Sequence, residues 1–338
     1  MKAIQIVEPG KVKPIEKDMP VLATGEVLLK TKYVGFCGSD LSTYMGKNPM
    51  VNYPRIPGHE ISALIEGKNS GVPDHFRKGQ KVTVVPYTHC GKCASCKSGR
   101  YNACQFNQTL GVQRDGAMCE YISIPWQKVL MADHLNEKQL ALVEPLTVGF
   151  HAVARANVTN IDTLMVLGCG MIGAGAVIRS KLQGAKVIAV DIDNKKLVIA
   201  EKLGADFLIN PAKENLHSKL SEITDREGPG VVIEAAGNPV TYRNSVEEVS
   251  FCGRVVFIGY AKEEVPFETK LFVQKELNIM GSRNATISDF EAVIRYMSEN
   301  ALPLDDIITR IVKPENATEV FKDWSSDPGK YFKIMVEF

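Results

Sequence analysis

Hydrophobic and polar residues change their rhythm near the middle of this 338-residue chain. From residue 1 to about 145, short β-rich runs such as Glu26 to Val34 and Lys81 to Val85 are separated by Gly and Pro, which predicts an irregular, mainly antiparallel β domain. From about 161 the pattern becomes buried strand, glycine turn, helix. Thr163 to Leu167 leads through Gly168 into an apolar helix ending at Gln183, and Ala185 to Val190 reads as the next strand. A helix over Asn194 to Leu203 precedes Phe207 to Ile209, and Val231 to Glu234 and Arg254 to Ile258 flank a helix near Val240 to Ser250. Strands alternating with helices imply a doubly wound parallel sheet, so the fold class is α/β. Beyond about 270 a strand at Leu277 to Met280, a helix at Ile287 to Glu299 and a closing β segment at Phe332 to Phe338 are expected to return to the first domain. The expected organisation is therefore 1–145, 146–272 and 273–338, with no repeat or long linker.

Composition narrows the function classes. There are 40 basic and 39 acidic residues and a net charge of +1, which gives no polyanion-steering surface and argues against nucleic acid as a partner. The strand-like start at Met1 to Glu8 is too short and polar for a secretion signal. The most apolar stretch, Leu164 to Ile178, carries four glycines and falls short of the roughly 20 residues that span a bilayer. A cytoplasmic chain with no membrane segment is expected. Eight cysteines are present, four of them crowded into Cys90 to Cys104 and the rest at Cys37, Cys119, Cys169 and Cys252. Without an export signal, such clustering points to metal rather than disulfides.

The segment Gly168-Cys169-Gly170-Met171-Ile172-Gly173 fits G-x-G-x-x-G. Its weight comes from context: it follows a buried strand, opens an apolar helix, and Asp191 ends the next strand at the expected offset. The first glycine serves the turn, the second the approach of backbone to a pyrophosphate, and the third the packing of helix on strand. Gly168, Gly170, Met171, Ile172, Gly173 and Asp191 are thus cofactor candidates. Asp191 would accept from ribose hydroxyls and repel a 2′-phosphate, favouring NAD over NADP, although Lys195 and Lys196 soften that discrimination. The spacing Cys90-x2-Cys93-x2-Cys96-x7-Cys104 places four thiolates where Gly91 and Gly99 let the chain wrap a tetrahedral ion, and a closed four-thiolate shell suits a structural zinc. An iron–sulfur cluster is the alternative from ligand type. Cys119, Cys169 and Cys252 read as small packed residues.

Three further segments, Gly35-Phe36-Cys37-Gly38-Ser39-Asp40, Gly58-His59-Glu60 and Val143-Glu144-Pro145-Leu146, are each poor evidence alone. In order, ahead of a dinucleotide motif and beside a cysteine lobe, they resemble the zinc-dependent medium-chain dehydrogenase/reductase family, in its sorbitol and polyol dehydrogenase branch, over essentially the whole chain. The resemblance implies a GroES-like catalytic domain joined to a Rossmann domain, NAD, one catalytic and one structural zinc, and a homo-oligomer. Cys37 and His59 match the thiolate and imidazole ligands of the catalytic zinc. Glu60 and Glu144 match its carboxylates, their order of ligation open. Ser39 matches the hydroxyl that bonds the substrate oxygen and starts proton removal, and Asp40 is expected to orient His59. Ser39, Glu60 and Glu144 are the catalytic candidates. Where many relatives carry a proton-relaying His, this chain has Ser42; His151 is a candidate substitute, or a packed structural histidine.

The implied substrate is a small polyol or sugar acid with a secondary hydroxyl. Residues 280–286, Met280 to Thr286, resemble a segment of bacterial dehydrogenases that oxidise hexonates such as L-galactonate or L-gulonate. There Arg283 matches a polyol-family arginine lining the substrate cleft, where it can hold a sugar hydroxyl, support Glu144 or grip a carboxylate; Asn284 joins it as a substrate candidate. A neutral polyol such as sorbitol or galactitol is the alternative substrate. A catalytically idle metal- and nucleotide-binding regulator is the alternative class, disfavoured by the intact ligands and Ser39. A zinc-free quinone reductase is disfavoured by the two ligand sets.

Overall fold

The computed structural model describes all 338 residues. Seven strands come first: β1 (Lys2–Glu8), β2 (Lys11–Glu16), β3 (Glu26–Gly35), β4 (Glu60–Lys68), β5 (Lys81–Val84), β6 (Tyr121–Pro125) and β7 (Val129–Met131). Then follow β8 (Thr163–Leu167), β9 (Lys186–Val190), β10 (Phe207–Ile209), β11 (Val231–Glu234), β12 (Arg254–Phe257) and β13 (Asn278–Gly281), and the chain closes with β14 (Ile308–Val312) and β15 (Lys333–Glu337). Contacts divide it into two compact units, Met1–Glu144 with Thr286–Phe338, and Pro145–Ala285.

In the first unit the sheet runs β14-β15-β3-β4-β5-β7, with β6 also on β3, and β1 and β2 form a separate hairpin. Long β3 is the hub. It pairs antiparallel with β4, β6 and β15, and its Val27, Leu29, Thr31 and Val34 are buried while Leu28, Lys30, Lys32 and Tyr33 are less so. One face on the core is what the broken, alternating sequence pattern requires. No residue of β11 and only the first of β8 escapes full burial, as expected for central strands of a parallel sheet covered on both faces.

The second unit carries that parallel sheet, in the order β10-β9-β8-β11-β12-β13. The order reverses between β8 and β11, the switch point at which doubly wound folds take up ligands. The expected return to the first unit at 273 comes too early. Residues 278–281 pair in parallel with β12 as the sixth strand, so the second unit runs on to Ala285. A four-residue strand at a sheet edge with little burial carries a weak apolar signal, and sequence periodicity alone assigns it to neither unit. No helix is long and apolar enough to cross a membrane.

Candidate active site and dinucleotide turn

Antiparallel pairing of β3 with β4 sets Gly35 opposite Glu60. It therefore brings the residues just past the end of β3 beside those at the start of β4. Cys37 N-caps the helix Gly38–Tyr44, and His59 and Glu60 open β4. The ligand atoms of Cys37, His59 and Glu60 all lie within 4.8 Å of one another. A thiol, an imidazole and a carboxylate converging in this way form an N/O/S donor set that suits zinc. Two orphaned atoms add to the fit. The His59 Nδ1 and the Ser39 Oγ are buried and make no hydrogen bond, so Ser39 presents an unused hydroxyl two residues from a metal donor.

Asp40 acts differently from expectation. Its carboxylate accepts from the backbone N–H of Cys37 at 2.9 Å and of Gly58 at 3.4 Å. It thus pins the main chain that carries both Cys37 and His59 and makes no hydrogen bond to the imidazole. Its charge still bears on that ring. Burial works against a protonated His59, but the Cys37 thiol, Glu144 and Asp40 outweigh it and hold the imidazole well above its usual range.

Both carboxylates have partners that the sequence did not reveal. Lys333, the first residue of β15, places its Nζ 2.7 and 2.6 Å from the two oxygens of Glu60 and donates to the Phe36 carbonyl at 3.1 Å. This pair is almost wholly enclosed, at 4% and 1% exposure. Gly35 makes room for it, because a Cβ there would stand 1.9 Å from a Glu60 oxygen. Burial raises the Glu60 carboxyl to about 7 in spite of the ammonium beside it. Glu144, buried on the helix Glu137–Arg155, lies outside the tight trio, and its carboxylate accepts from the Tyr87 hydroxyl. Tyr87 is itself buried, with its ring edge-to-face on Phe290. Burial, with Glu144 adding to it, keeps this phenol well above its ordinary range, so it serves as a donor.

In the cysteine lobe, Gly91 and Gly99 take positive φ of 73° and 76°, which lets Cys90, Cys93, Cys96 and Cys104 converge. The Cys93 sulfur stands 3.5 Å from that of Cys96 and 3.8 Å from that of Cys104. Sulfurs at the corners of a zinc tetrahedron with bonds of about 2.3 Å stand roughly 3.8 Å apart, so the spacing fits. The Ser95 hydroxyl, together with nearby amides, pulls the Cys93 thiol down to about 5, while burial pushes Cys96 up to about 11. Replacing Cys96 by Ser is expected to lower zinc content by about one ion per chain and to reduce the melting temperature, as structural zinc contributes directly to folding. Metal analysis returning the wild-type value would remove the lobe from the zinc sites.

The glycine turn behaves as three separate requirements. Gly168 has φ +92°, and a Cβ on it would approach the Ala236 nitrogen to 2.8 Å; a Cβ on Gly173 would meet the Gly168 oxygen at 1.9 Å. These two are demanded by the fold. Gly170 is not, for a Cβ there would meet nothing within 4 Å. Its bare backbone faces open space. It N-caps the helix Met171–Leu182, whose first turn leaves the N–H groups of Met171, Ile172 and Gly173 without intrahelical partners, a ready anion site. Asp191 directly follows β9, and its two oxygens accept from the Cys169 amide at 2.8 Å and the Asp193 amide at 2.9 Å. It therefore braces the turn. Arg283 and Asn284 follow β13 in the second unit, both half-buried, with Asn284 in the left-handed region at φ +53°. His151 is buried on the helix Glu137–Arg155.

The family described as zinc-binding dehydrogenase matches residues 172–299, and that described as alcohol dehydrogenase GroES-like domain matches residues 23–134. An L-galactonate-5-dehydrogenase of Escherichia coli strain K12 is 36% identical over 310 residues, 91% of each chain. A sorbitol dehydrogenase of Bacillus subtilis strain 168 is 34% identical over 343 residues, 99% of this chain and 97% of its own. Among solved structures, an alcohol dehydrogenase from Escherichia coli CFT073 complexed with NADH superposes with a TM-score of 0.92 at 29% identity, covering 100% of this chain and 99% of that one.

Proposed function

The chain belongs to the zinc-type alcohol dehydrogenase family, and from that premise we propose that it oxidises a secondary hydroxyl of a hexonate, such as L-gulonate or L-galactonate, to the keto acid with NAD as hydride acceptor. The observation that carries the reaction type is the Cys37, His59 and Glu60 trio with the unpartnered Ser39 hydroxyl close by in sequence. Zinc held by Cys37 and His59, with Glu60 or Glu144 as the carboxylate, would supply Lewis-acid polarisation of the substrate oxygen. Ser39 accepts the hydrogen of the substrate hydroxyl, and its backbone carbonyl is fixed by the Thr43 hydroxyl at 2.8 Å. Asp40 holds the main chain of the donors in place, while Lys333 and Tyr87 hold the two carboxylates. The proton's onward route passes no imidazole at Ser42, unlike many relatives. In the second unit Gly170 and the amides of Met171 and Ile172 would receive the pyrophosphate, and Asp191 favours NAD over NADP by accepting from ribose hydroxyls.

The hexonate assignment leans on residues 280–286 and on the L-galactonate-5-dehydrogenase relative, with Arg283 as the group to grip a carboxylate and Asn284 beside it. The sorbitol dehydrogenase relative favours the second reading, a neutral polyol. NADH absorbance with L-gulonate and L-galactonate against matched hexitols separates the two. With acids preferred, Arg283→Lys is expected to lower kcat/KM on them about tenfold or more and to leave hexitols within about threefold, since an ammonium loses the bidentate geometry. Preferred hexitols with no selective loss in Arg283→Lys would reject the hexonate, and no turnover on any polyol or acid would restore the regulator. We also read the chain as a cytoplasmic homo-oligomer. Ligating thiols suit a reducing compartment. Strand β13 ends the parallel sheet with only β12 beside it, leaving an edge that a second copy can cover.

A further inference from the structure

Glu234 ends β11, and its side chain is enclosed although no step described above uses it. One oxygen, Oε1, accepts from the Ala236 amide at 3.0 Å, the Gly237 amide at 2.8 Å and the Thr241 hydroxyl at 2.7 Å. The other, Oε2, is buried and makes no hydrogen bond. The carboxylate therefore folds residues 235–238 back over the end of its own strand. Burial drives this carboxyl upward, against the pull of those donors.

The folded loop is pressed against two neighbours. A Cβ on Gly168 would reach the Ala236 nitrogen at 2.8 Å, and a Cβ on Gly259 would reach the Gly237 nitrogen at 2.3 Å and Glu234 Oε2 at 2.9 Å. The backbone of Glu234 accepts from Ile258 at 2.9 Å, and the Tyr242 hydroxyl donates to the Gly259 carbonyl. Glu234 thus sits at the junction of three turns, those that follow β8, β11 and β12. All three lie at the carboxyl ends of parallel strands, where a doubly wound sheet binds its ligand. Asp191 places the adenosine half over β9. Because the strand order reverses between β8 and β11, the other half of a dinucleotide must extend over β11 and β12.

We propose that Glu234 is a positioning residue for the nicotinamide half of the cofactor, shaping the 235–238 turn and its contact with Gly259 into the floor on which that half rests. The proposal rests on the NAD reading given above. A carboxylate needed only to close a turn would be expected to satisfy both oxygens; here one is left buried and unmet, which calls for a reason beyond the turn itself.

Titration calorimetry with NADH and with ADP-ribose, which lacks the nicotinamide ring, tests it. Glu234→Ala is expected to raise the Kd for NADH about tenfold and to leave ADP-ribose within about twofold, and Glu234→Gln, whose amide oxygen still accepts from the turn, to recover NADH to within about threefold of wild type. Thr241→Val, which removes one donor and threatens the fold less, is expected to weaken NADH alone by about threefold, and it decides the matter if Glu234→Ala does not fold. Equal weakening of both ligands, or no change in either, would overturn the role. A wild-type protein that fails to bind NADH would instead reject the NAD reading itself.

Discussion

His59→Ala is expected to lower kcat by at least about a thousandfold, or roughly 4 kcal/mol of transition-state stabilisation, while the Kd for NADH stays within about threefold. The imidazole stands inside a trio whose ligand atoms lie within 4.8 Å of one another. With only Cys37 and carboxylates already engaged by Lys333 and Tyr87 remaining, the site loses its one nitrogen donor and with it the geometry that holds a hydroxyl for reaction. The nucleotide turn belongs to the second unit and keeps its own braces, Asp191 on Cys169 and Glu234 on Ala236 and Gly237. Zinc content should fall from about two ions per chain to about one, the remainder sitting in the cysteine lobe. A variant that keeps both ions, or that turns over within tenfold of wild type, would show that His59 is not a ligand.

Local patterns carried the parts of this molecule that depend on neighbours in sequence. The glycine turn, the strand before it and Asp191 after it lie within one βαβ unit, and the four lobe cysteines lie within fifteen residues. The trio was legible only because the segments around Cys37 and His59 resemble a known family; what unites them physically is the pairing of β3 with β4. The partners of the carboxylates were not legible. Lys333 reaches Glu60 across 273 residues and Tyr87 reaches Glu144 across 57, and no periodicity links such positions. One signal existed for the lysine: it stands between Phe332 and the apolar run Ile334 to Val336, where a charge is expensive without a partner. Nothing comparable marked Tyr87. Sequence proximity points Asp40 at the imidazole, since that is the simplest inference from a nearby acid; its use as a cap on the backbone of Cys37 and Gly58 follows from the start of the helix Gly38–Tyr44.

That lysine carries the other large effect. Lys333→Met is expected to destabilise the first unit by about 3–5 kcal/mol, because it leaves Glu60 buried with no countercharge. The pair gains little over apolar residues of similar volume, since both ions are taken out of water; breaking it on one side is what costs most. Lys333→Met with Glu60→Leu should therefore recover most of the loss in stability, although not activity. Raising zinc should also narrow the gap between Lys333→Met and wild type, for a dication held by Cys37 and His59 gives the Glu60 carboxylate a second positive neighbour in place of the ammonium. Denaturant unfolding of wild type, the two single variants and the double variant, at low and high zinc, closes the cycle. A Lys333→Met protein that loses less than about 1 kcal/mol would mean that Glu60 goes into the fold protonated and the ion pair carries no weight. A double variant as unstable as Lys333→Met would place the cost in lost packing of the lysine stem instead of in the stranded charge.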